Sequence, residues 1–239
     1  MSGDLKADMN LFLNPKEASW PAAFDHAIGE LHACWPDRWC GLPQVLESCI
    51  DHLDLQHLAL TPDVQSLLAA SREIADQLEQ LSLNTSAYTE PRYHNRLHTA
   101  DVLASMTLLV AIETQLQRVR TSDWCAAALL AAVAHDFAHP GLVNSKPSEL
   151  EQSSMLGVLP ILKKHHVKSE WIECIEHVVL RSDFALVAEN HRLVEGQSFA
   201  WHQDWLAVLL NEADILASSV SVFGESLGHA LSDEWRMIN

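Results

Sequence analysis

The chain has 239 residues, 48% of them hydrophobic, and a formal net charge of −17 at pH 7. This composition supplies enough apolar surface for a sizeable core and excludes a disordered chain. Because so acidic a surface repels phosphate backbones, we expect no nucleic-acid partner. The same charge would repel a small anionic substrate, so we expect bound divalent metal to reverse the sign locally.

Cysteine usage and hydropathy indicate a cytoplasmic protein. The five cysteines are odd in number and form no CxxC pair, which argues against a disulfide framework and against a thiolate zinc site. Residues 1–10 lack a basic segment followed by an apolar run, and we find no apolar stretch of about 18 residues or more that would span a bilayer. We therefore expect no signal peptide and no membrane contact.

Helical periodicity and the low Gly and Pro content predict an all-α fold. The N-terminal part, punctuated by Trp and Pro, is expected to hold helices over 22–34 and 42–55. Thr61 reads as an N-cap followed by Pro62 at the first helical position, and apolar residues then recur at helical spacing as far as Leu81.

The middle of the chain predicts two further helices after a polar loop over 83–92. The first is expected to run from near His94 to Arg120. Asp123 is a candidate cap for the second, the segment WCAAALLAAVAH, which is apolar on nearly every face and therefore predicts a buried central helix. Pro140-Gly141 is expected to end it.

The C-terminal part contains one more clear helical stripe and one strong final helix. A helix begins within 146–154, and residues 171–179 place apolar side chains at helical spacing. Residues 184–203 are ambiguous and partly loop. Asp204 is expected to cap the last helix, which contains Leu209 and Leu216.

Three polar features interrupt these apolar helices. His94 and His98 are four residues apart, so a helix would place them on one face. His135 and Asp136 close the most buried helix, where they are costly unless a metal compensates them. Asp214 lies on a later apolar helix. Each feature alone has an ordinary structural explanation, but together they offer ligands from three helices, which suits a metal site in a bundle core.

Two extended motifs carry a resemblance to a known family. The segments YHNRLHTADV (93–102) and HDFAHPGLVN (135–144) resemble the YHNxxHxxDV and HDxxHPGxxN motifs of class I cyclic-nucleotide phosphodiesterases, which belong to the HD-domain superfamily. The similarity covers roughly 93–219. It implies an all-α helical bundle with the metal site in its core, and a hydrolase of phosphoric diesters that acts in signal transduction.

The resemblance also implies a role for each matching residue. Four residues match the ligands of the tightly held metal: His98, His135, Asp136 and Asp214. Three residues match positions that hold waters of a second metal, to which Asp136 would bridge: His139, Glu151 and Ser182. The tight site would take Zn, Fe or Mn, and the second Mg or Mn.

The implied reaction converts a 3′,5′-cyclic nucleotide to its 5′-monophosphate. Two cations would lower the pKa of a bridging water, and the resulting hydroxide would attack phosphorus. His94 matches the general acid that protonates the leaving oxygen, a role that typically contributes about 10²–10⁴-fold. Asp101 could orient an imidazole or cap the fold, and the sequence leaves both possibilities open.

Departures from the family pattern keep two other functions open. Ser153, Ser154 and Val187 stand where the family has histidines, which weakens the second-metal shell. A different HD hydrolase, such as a nucleotidase or another phosphomonoesterase, is one alternative, and a non-catalytic ligand-binding domain is the other. Phe223 and Trp235 are available aromatic residues, although ordinary packing is the simpler interpretation of both.

The chain is expected to form one compact unit that binds a small substrate. We expect residues 1–80 to form a helical segment packed on a core of 81–239, in one compact unit. The expected substrate is a small anionic phosphoester. Trp20, Trp35 and Trp39 are expected to fix the N-terminal helices, and they could instead form the contact surface of a homodimer.

Overall fold

The computed structural model describes residues 11–13, 19–56, 61–84, 88–117, 121–220 and 222–236, and all regular secondary structure within them is helical. The prediction of an all-α fold is therefore confirmed. The helices follow this order: α1 (Trp20–Cys34), α2 (Leu42–His52), α3 (Pro62–Leu83), α4 (Arg96–Gln117), α5 (Ser122–Ala134), α6 (Glu149–Lys164), α7 (Ser169–Leu180), a 3₁₀ turn (Phe184–Leu186), α8 (Val187–Val194), α9 (Gln203–Ser219) and α10 (Gly224–Arg236).

Helices α4 and α5 form the centre of the bundle. Helix α4 packs against α1, α2, α5 and α9, while α5 packs against α3 and α7. Every residue of α5 from Cys125 to Ala134 is buried, as the all-round apolar pattern predicts. The small Ala side chains of this segment allow close helix packing, and His135, which follows its C-terminal end, is buried.

The predicted start of α3 is confirmed, whereas two other predicted caps are wrong. The Thr61 side chain accepts a hydrogen bond from the backbone N of Val64, and Pro62 is the first helical residue. Asp123 lies inside the first turn of α5 and accepts from the Thr61 hydroxyl at 2.8 Å. Asp204 also lies inside its helix, because the His202 ring caps α9 by accepting from the Asp204 backbone N.

Helix α4 begins later than predicted. Asn95 precedes it and accepts a hydrogen bond from the His98 backbone N at 3.1 Å, which is the geometry of an N-cap. His94 therefore lies in the bend before the helix, and the prediction that His94 and His98 share one helical face is wrong. The predicted C-terminal residue, Arg120, lies outside the described residues.

The C-terminal region contains more helix than the sequence indicated. The ambiguous segment 184–203 includes the 3₁₀ turn and α8, and α9 is followed by α10. The turn between α9 and α10 requires glycine, since a Cβ at Gly224 would lie 2.4 Å from the Ser218 carbonyl oxygen. Helix α10 escaped prediction because few of its residues are apolar and only Glu234 is buried.

One helix in the described part of the chain has the length and mean hydropathy expected of a membrane span. Residues 96–116 reach a mean hydropathy of 1.2 over 18 residues, but 72% of that window is buried inside the fold. Burial against four neighbouring helices accounts for the apolar character of α4 as a core helix.

The N-terminal helices are joined to the rest of the bundle by extensive packing. Trp20, Trp35 and Trp39 are partly buried against the core. Helix α3 runs from Pro62 to Leu83 without interruption across the expected boundary near residue 80. The division into two segments stays a prediction, as does a homodimer.

Candidate metal site

Three parts of the chain bring two imidazoles and two carboxylates together. His98 lies on the first turn of α4, His135 and Asp136 follow α5 directly, and Asp214 lies on α9. The Asp136 Oδ2 atom is 3.4 Å from His98 Nε2 and 3.2 Å from His135 Nε2. The Asp214 Oδ1 atom is 3.1 Å and 3.8 Å from the same two nitrogens. All four side chains predicted to bind the tight metal therefore converge.

The two imidazole nitrogens at the centre of this cluster lack hydrogen bonds. His98 Nε2 and His135 Nε2 are buried, and neither has a hydrogen-bond partner in the part of the chain that the structure describes. The other nitrogen of His135, Nδ1, lies 2.8 Å from the Ala132 carbonyl oxygen. It donates there, which leaves a lone pair on Nε2 directed at the two carboxylates.

This donor set fits a divalent cation. Ligand atoms of His98, His135 and Asp214 all lie within 4.8 Å of one another, and Asp136 contacts both imidazoles. Ligands that each lie about 2 Å from one shared ion are themselves roughly 3–4 Å apart. Two neutral imidazoles and two carboxylates are suitable ligands for Zn, Fe or Mn. An ion there would satisfy both orphaned nitrogens.

In the ion-free cluster, the imidazoles and carboxylates shift one another's pKa values so that the imidazoles hold protons more tightly. Burial by itself opposes the charged form of His98, but Tyr93 and the two facing carboxylates raise its pKa well above the usual value. The pKa of His135 is raised against burial in the same way, mainly by Asp136. Burial would raise the pKa of Asp136, yet the adjacent His135 holds it well below the usual value. Metal binding must therefore displace protons.

His94 is held by a different partner, Glu234 of α10. Glu234 Oε1 lies 2.5 Å from His94 Nδ1, and Oε2 accepts from the backbone N of Tyr93 at 2.7 Å and of His94 at 3.2 Å. Burial opposes ionisation of Glu234, but the His94 ring and these amides lower its pKa below the usual value. The carboxylate fixes the His94 ring and leaves Nε2 as its available nitrogen.

His139 completes a second group of ligand-type side chains with His94 and Glu234, whose donor atoms also lie within 4.8 Å. The His94 and His139 rings are 3.9 Å apart. His139 Nδ1 accepts from the Gly141 backbone N at 3.1 Å, which places its proton on Nε2. Burial lowers the pKa of His139 to about 4, so its ring is neutral. Because the Nδ1 atoms of both rings and the Glu234 carboxylate already have hydrogen-bond partners, this group needs an ion less than the first group does.

A cavity of about 440 Å³ opens above the candidate metal site. Its lining includes these predicted site residues: His94, His135, Asp136, His139, Glu151, Ser182 and Asp214. Glu151 accepts from the Asn144 amide at 3.0 and 3.2 Å, and the Ser182 hydroxyl donates to the Val179 carbonyl at 2.8 Å. The predicted water-holding residues thus border one cavity, and their role toward a second metal stays a prediction.

Several residues singled out in the sequence lie away from this cavity. Ser153, Ser154 and Val187 do not border it. Asp101 is buried on α4 with one oxygen 2.9 Å from His32 Nε2, so it orients an imidazole of α1. Phe223 stacks on that same His32 ring at 4.3 Å.

Two residues of α10 contribute to this region in ways that the sequence did not predict. Trp235, for which packing was the simpler interpretation, lines the cavity. Glu234 was missed altogether, because it is 140 residues from His94 and lies on a helix that the pattern of apolar residues did not reveal. No local signal in the sequence distinguishes it from the other acidic residues of this chain.

Comparison with known proteins supports the resemblance carried by the two motifs. A model of the 3′,5′-cyclic nucleotide phosphodiesterase family matches residues 93–169. A probable 3′,5′-cyclic phosphodiesterase of Caenorhabditis elegans, pde-6, is 33% identical over 101 residues, which are 41% of this chain and 13% of that protein. A probable 3′,5′-cyclic-AMP phosphodiesterase of the same organism, pde-4, is 35% identical over 82 residues, or 34% of this chain and 12% of that protein.

The chain thus spans only a small part of the length of these relatives. The family match includes both motifs and therefore His94, His98, His135 and Asp136, whereas Asp214 and Glu234 lie beyond it. Over this segment, the chain resembles the catalytic region of class I cyclic-nucleotide phosphodiesterases.

Proposed function

We propose that the chain hydrolyses 3′,5′-cyclic nucleotides to 5′-monophosphates and that this activity depends on divalent metal held by His98, His135, Asp136 and Asp214. The observation that carries the proposal is the pair of buried Nε2 atoms without hydrogen bonds, which face two carboxylates at the floor of a cavity. The family resemblance of the surrounding motifs supplies the class of substrate.

A metal ion suits the reaction because the chain as a whole is strongly acidic. Bound divalent ions would neutralise the phosphate and lower the pKa of a coordinated water toward neutrality. Glu151, Ser182 and His139 border the same cavity and would hydrogen-bond water near Asp136. We include in the proposal a second ion, Mg or Mn, bound next to Asp136 through these waters.

His94 would serve as the general acid. Hydrolysis adds water across the bond between phosphorus and the 3′ oxygen, and the departing alkoxide needs a proton. The Nδ1 atom of His94 is occupied by Glu234, so Nε2 is the nitrogen that would deliver it. Glu234 would act as a positioning residue that fixes the ring and stabilises its charged form, in the way a buried carboxylate does in catalytic triads.

The decisive experiment is a hydrolysis assay of cyclic AMP and cyclic GMP with and without added divalent metal. We expect turnover only in the presence of metal, and a loss of roughly 10²–10⁴-fold in kcat for His94→Asn. His229→Gln is the matched control, because its side chain is 75% exposed and its nearest carboxylate, Glu225, is 3.8 Å away. Absence of turnover of both nucleotides by metal-loaded protein would contradict the proposal.

The same assay separates the alternatives. A phosphodiesterase leaves a monoester and releases no inorganic phosphate, whereas a nucleotidase or another phosphomonoesterase releases it. Phosphate release from 5′-monophosphates would favour that second class. Stoichiometric metal binding without hydrolysis of any phosphoester would favour a ligand-binding domain.

A further inference from the structure

One lysine borders the cavity above the candidate metal site. Among the lining residues that the structure describes, Lys146 is the one lysine or arginine, and its side chain is exposed to solvent. Four carboxylates share the same lining: Asp136, Glu151, Asp183 and Asp214. An exposed lysine needs no explanation by itself. Beside a cavity with so many carboxylates, however, it is the one permanent positive charge that the chain itself offers to an anion there.

Hydrogen bonds fix the backbone on both sides of Lys146. Its carbonyl accepts from the backbone N of Glu149 at 3.3 Å, and the Ser145 backbone N donates to Glu149 Oε2 at 3.1 Å. The Ser148 backbone N donates to Asp183 Oδ2 at 2.7 Å, which ties this loop to the segment that follows α7. The lysine side chain therefore extends from an anchored loop.

The Lys146 ammonium group forms no ion pair with a carboxylate of the described residues. Glu149 is close enough to interact with it through space, but the Glu149 carboxylate is hydrogen-bonded to Ser145. By contrast, the ammonium groups of Lys164 and Lys168 lie 2.7 Å and 2.8 Å from carboxylates of α3. In a chain with 32 acidic and 15 basic residues, a lysine that is left without such a partner is available to an anion in the cavity.

We propose that Lys146 binds the anionic phosphate group of substrate and product at the cavity and thereby determines the affinity for them. This inference rests on the proposed function, which supplies the phosphoester. A chain with a net charge of −17 repels an anion at long range, and a cation beside the cavity offsets that repulsion locally. Because Lys146 takes no part in the proposed proton transfer, it should affect substrate binding and leave the chemical step unchanged.

The test compares Lys146→Gln and Lys146→Glu with the parent chain, all loaded with metal, in hydrolysis of cyclic AMP at two ionic strengths. At about 10 mM salt, where charges act over roughly 30 Å, we expect KM to rise roughly 3- to 20-fold in Lys146→Gln and further in Lys146→Glu. At about 1 M salt, where that range falls to roughly 3 Å, most of the difference in KM should disappear. The value of kcat should stay within about twofold throughout.

Lys163→Gln and Lys163→Glu are the matched controls. Lys163 is also exposed, but it lies at the end of α6 and outside the cavity lining. These variants change the net charge by the same amount, so they separate a local contact from an effect of overall charge. Calorimetry of the metal-loaded protein with 5′-AMP and with adenosine gives a second readout. Only binding of 5′-AMP should weaken in Lys146→Gln, because adenosine carries no phosphate.

Several results would overturn this inference while leaving the proposed function intact. They are an unchanged KM in Lys146→Glu at low salt, an equal loss of affinity in Lys163→Glu, a fall in kcat at unchanged KM, and loss of the bound ion from a Lys146 variant. If metal-loaded protein hydrolyses neither cyclic AMP nor cyclic GMP, the proposed function fails. Calorimetry with 5′-AMP and with inorganic phosphate then still decides the role of Lys146. Absence of binding to the parent chain, or equal affinity in the parent and Lys146→Gln, would reject it.

Discussion

Two clusters of histidine and carboxylate side chains lie side by side in this protein, yet their hydrogen bonding differs. In the first, His98 Nε2 and His135 Nε2 are buried beside carboxylates without making a hydrogen bond in the described chain. In the second, His94 is bonded to Glu234, and His139 accepts from the Gly141 amide. Buried nitrogens without hydrogen bonds are costly unless an ion binds them, whereas in the second cluster both Nδ1 atoms already have partners.

Residue type and the distance between donor atoms do not by themselves identify a metal site. Both clusters bring donor atoms within 4.8 Å of one another. Their hydrogen bonds differ, and on that difference we assign the ion to the first cluster and the proposed proton transfer to the second.

Replacing a ligand of the first cluster should abolish the activity. In Asp214→Ala one of the two carboxylates that face the orphaned imidazoles is lost, so we expect the protein to lose its tightly held ion and hydrolysis to fall to background. Metal content by mass spectrometry and the cyclic-nucleotide assay check this. Full metal content in Asp214→Ala, with an ion at the second cluster, would refute the comparison.

Replacing the carboxylate of the second cluster should impair chemistry and spare the metal. Glu234→Gln keeps the size of the side chain but removes the charge that stabilises protonated His94. We expect kcat to fall roughly 10- to 100-fold, within the span of general-acid effects, with metal content unchanged. Unchanged kcat in Glu234→Gln, or loss of the bound ion, would contradict this role.

Metal binding should weaken as pH falls. The pKa values of His98 and His135 are raised in the ion-free cluster, so at lower pH a larger fraction of these rings carries a proton that the ion must displace. We expect the dissociation constant for Mn²⁺ to increase about tenfold or more from pH 8 to pH 6, with proton release detected by calorimetry in two buffers. Equal affinity at both pH values would contradict the proton competition.

A small change near the second cluster should have a small effect. Gly141 has a φ of +71°, and a Cβ there would lie 3.3 Å from Glu234 Cγ and 3.2 Å from Pro91 Cβ. Gly141→Ala should therefore cost about 1–2 kcal/mol in the free energy of unfolding and lower kcat a few-fold by shifting Glu234. Denaturant unfolding and kinetics measure both, and Gly196→Ala is the control, because Gly196 has a φ of +72° and a Cβ there meets no atom within 4 Å.

The sequence was informative where local patterns decide the structure. The central position of α5 follows from apolar residues on all of its faces, and the start of α3 follows from the Thr61 cap and Pro62. The four predicted metal ligands converge because each occupies a polar position in or directly after an apolar helix. Such positions are visible without coordinates, since burial of a polar group is itself the signal.

The sequence was uninformative where the structure depends on contacts between distant segments. The partner of His94 is 140 residues away on α10, a helix that contains few apolar residues. The partner of Asp101 is His32 on α1, although the local pattern could not choose between orienting an imidazole and capping the fold. The late start of α4 depends on an Asn cap that competes with a longer helical pattern.

The most direct test is a crystal structure of the protein grown with Mn²⁺ or Zn²⁺, with anomalous scattering to locate the ion. A strong anomalous peak about 2.0–2.3 Å from His98 Nε2, His135 Nε2 and carboxylate oxygens of Asp136 and Asp214 is the predicted result. No peak there, or a peak between His94, His139 and Glu234 instead, would contradict the assignment of the two clusters.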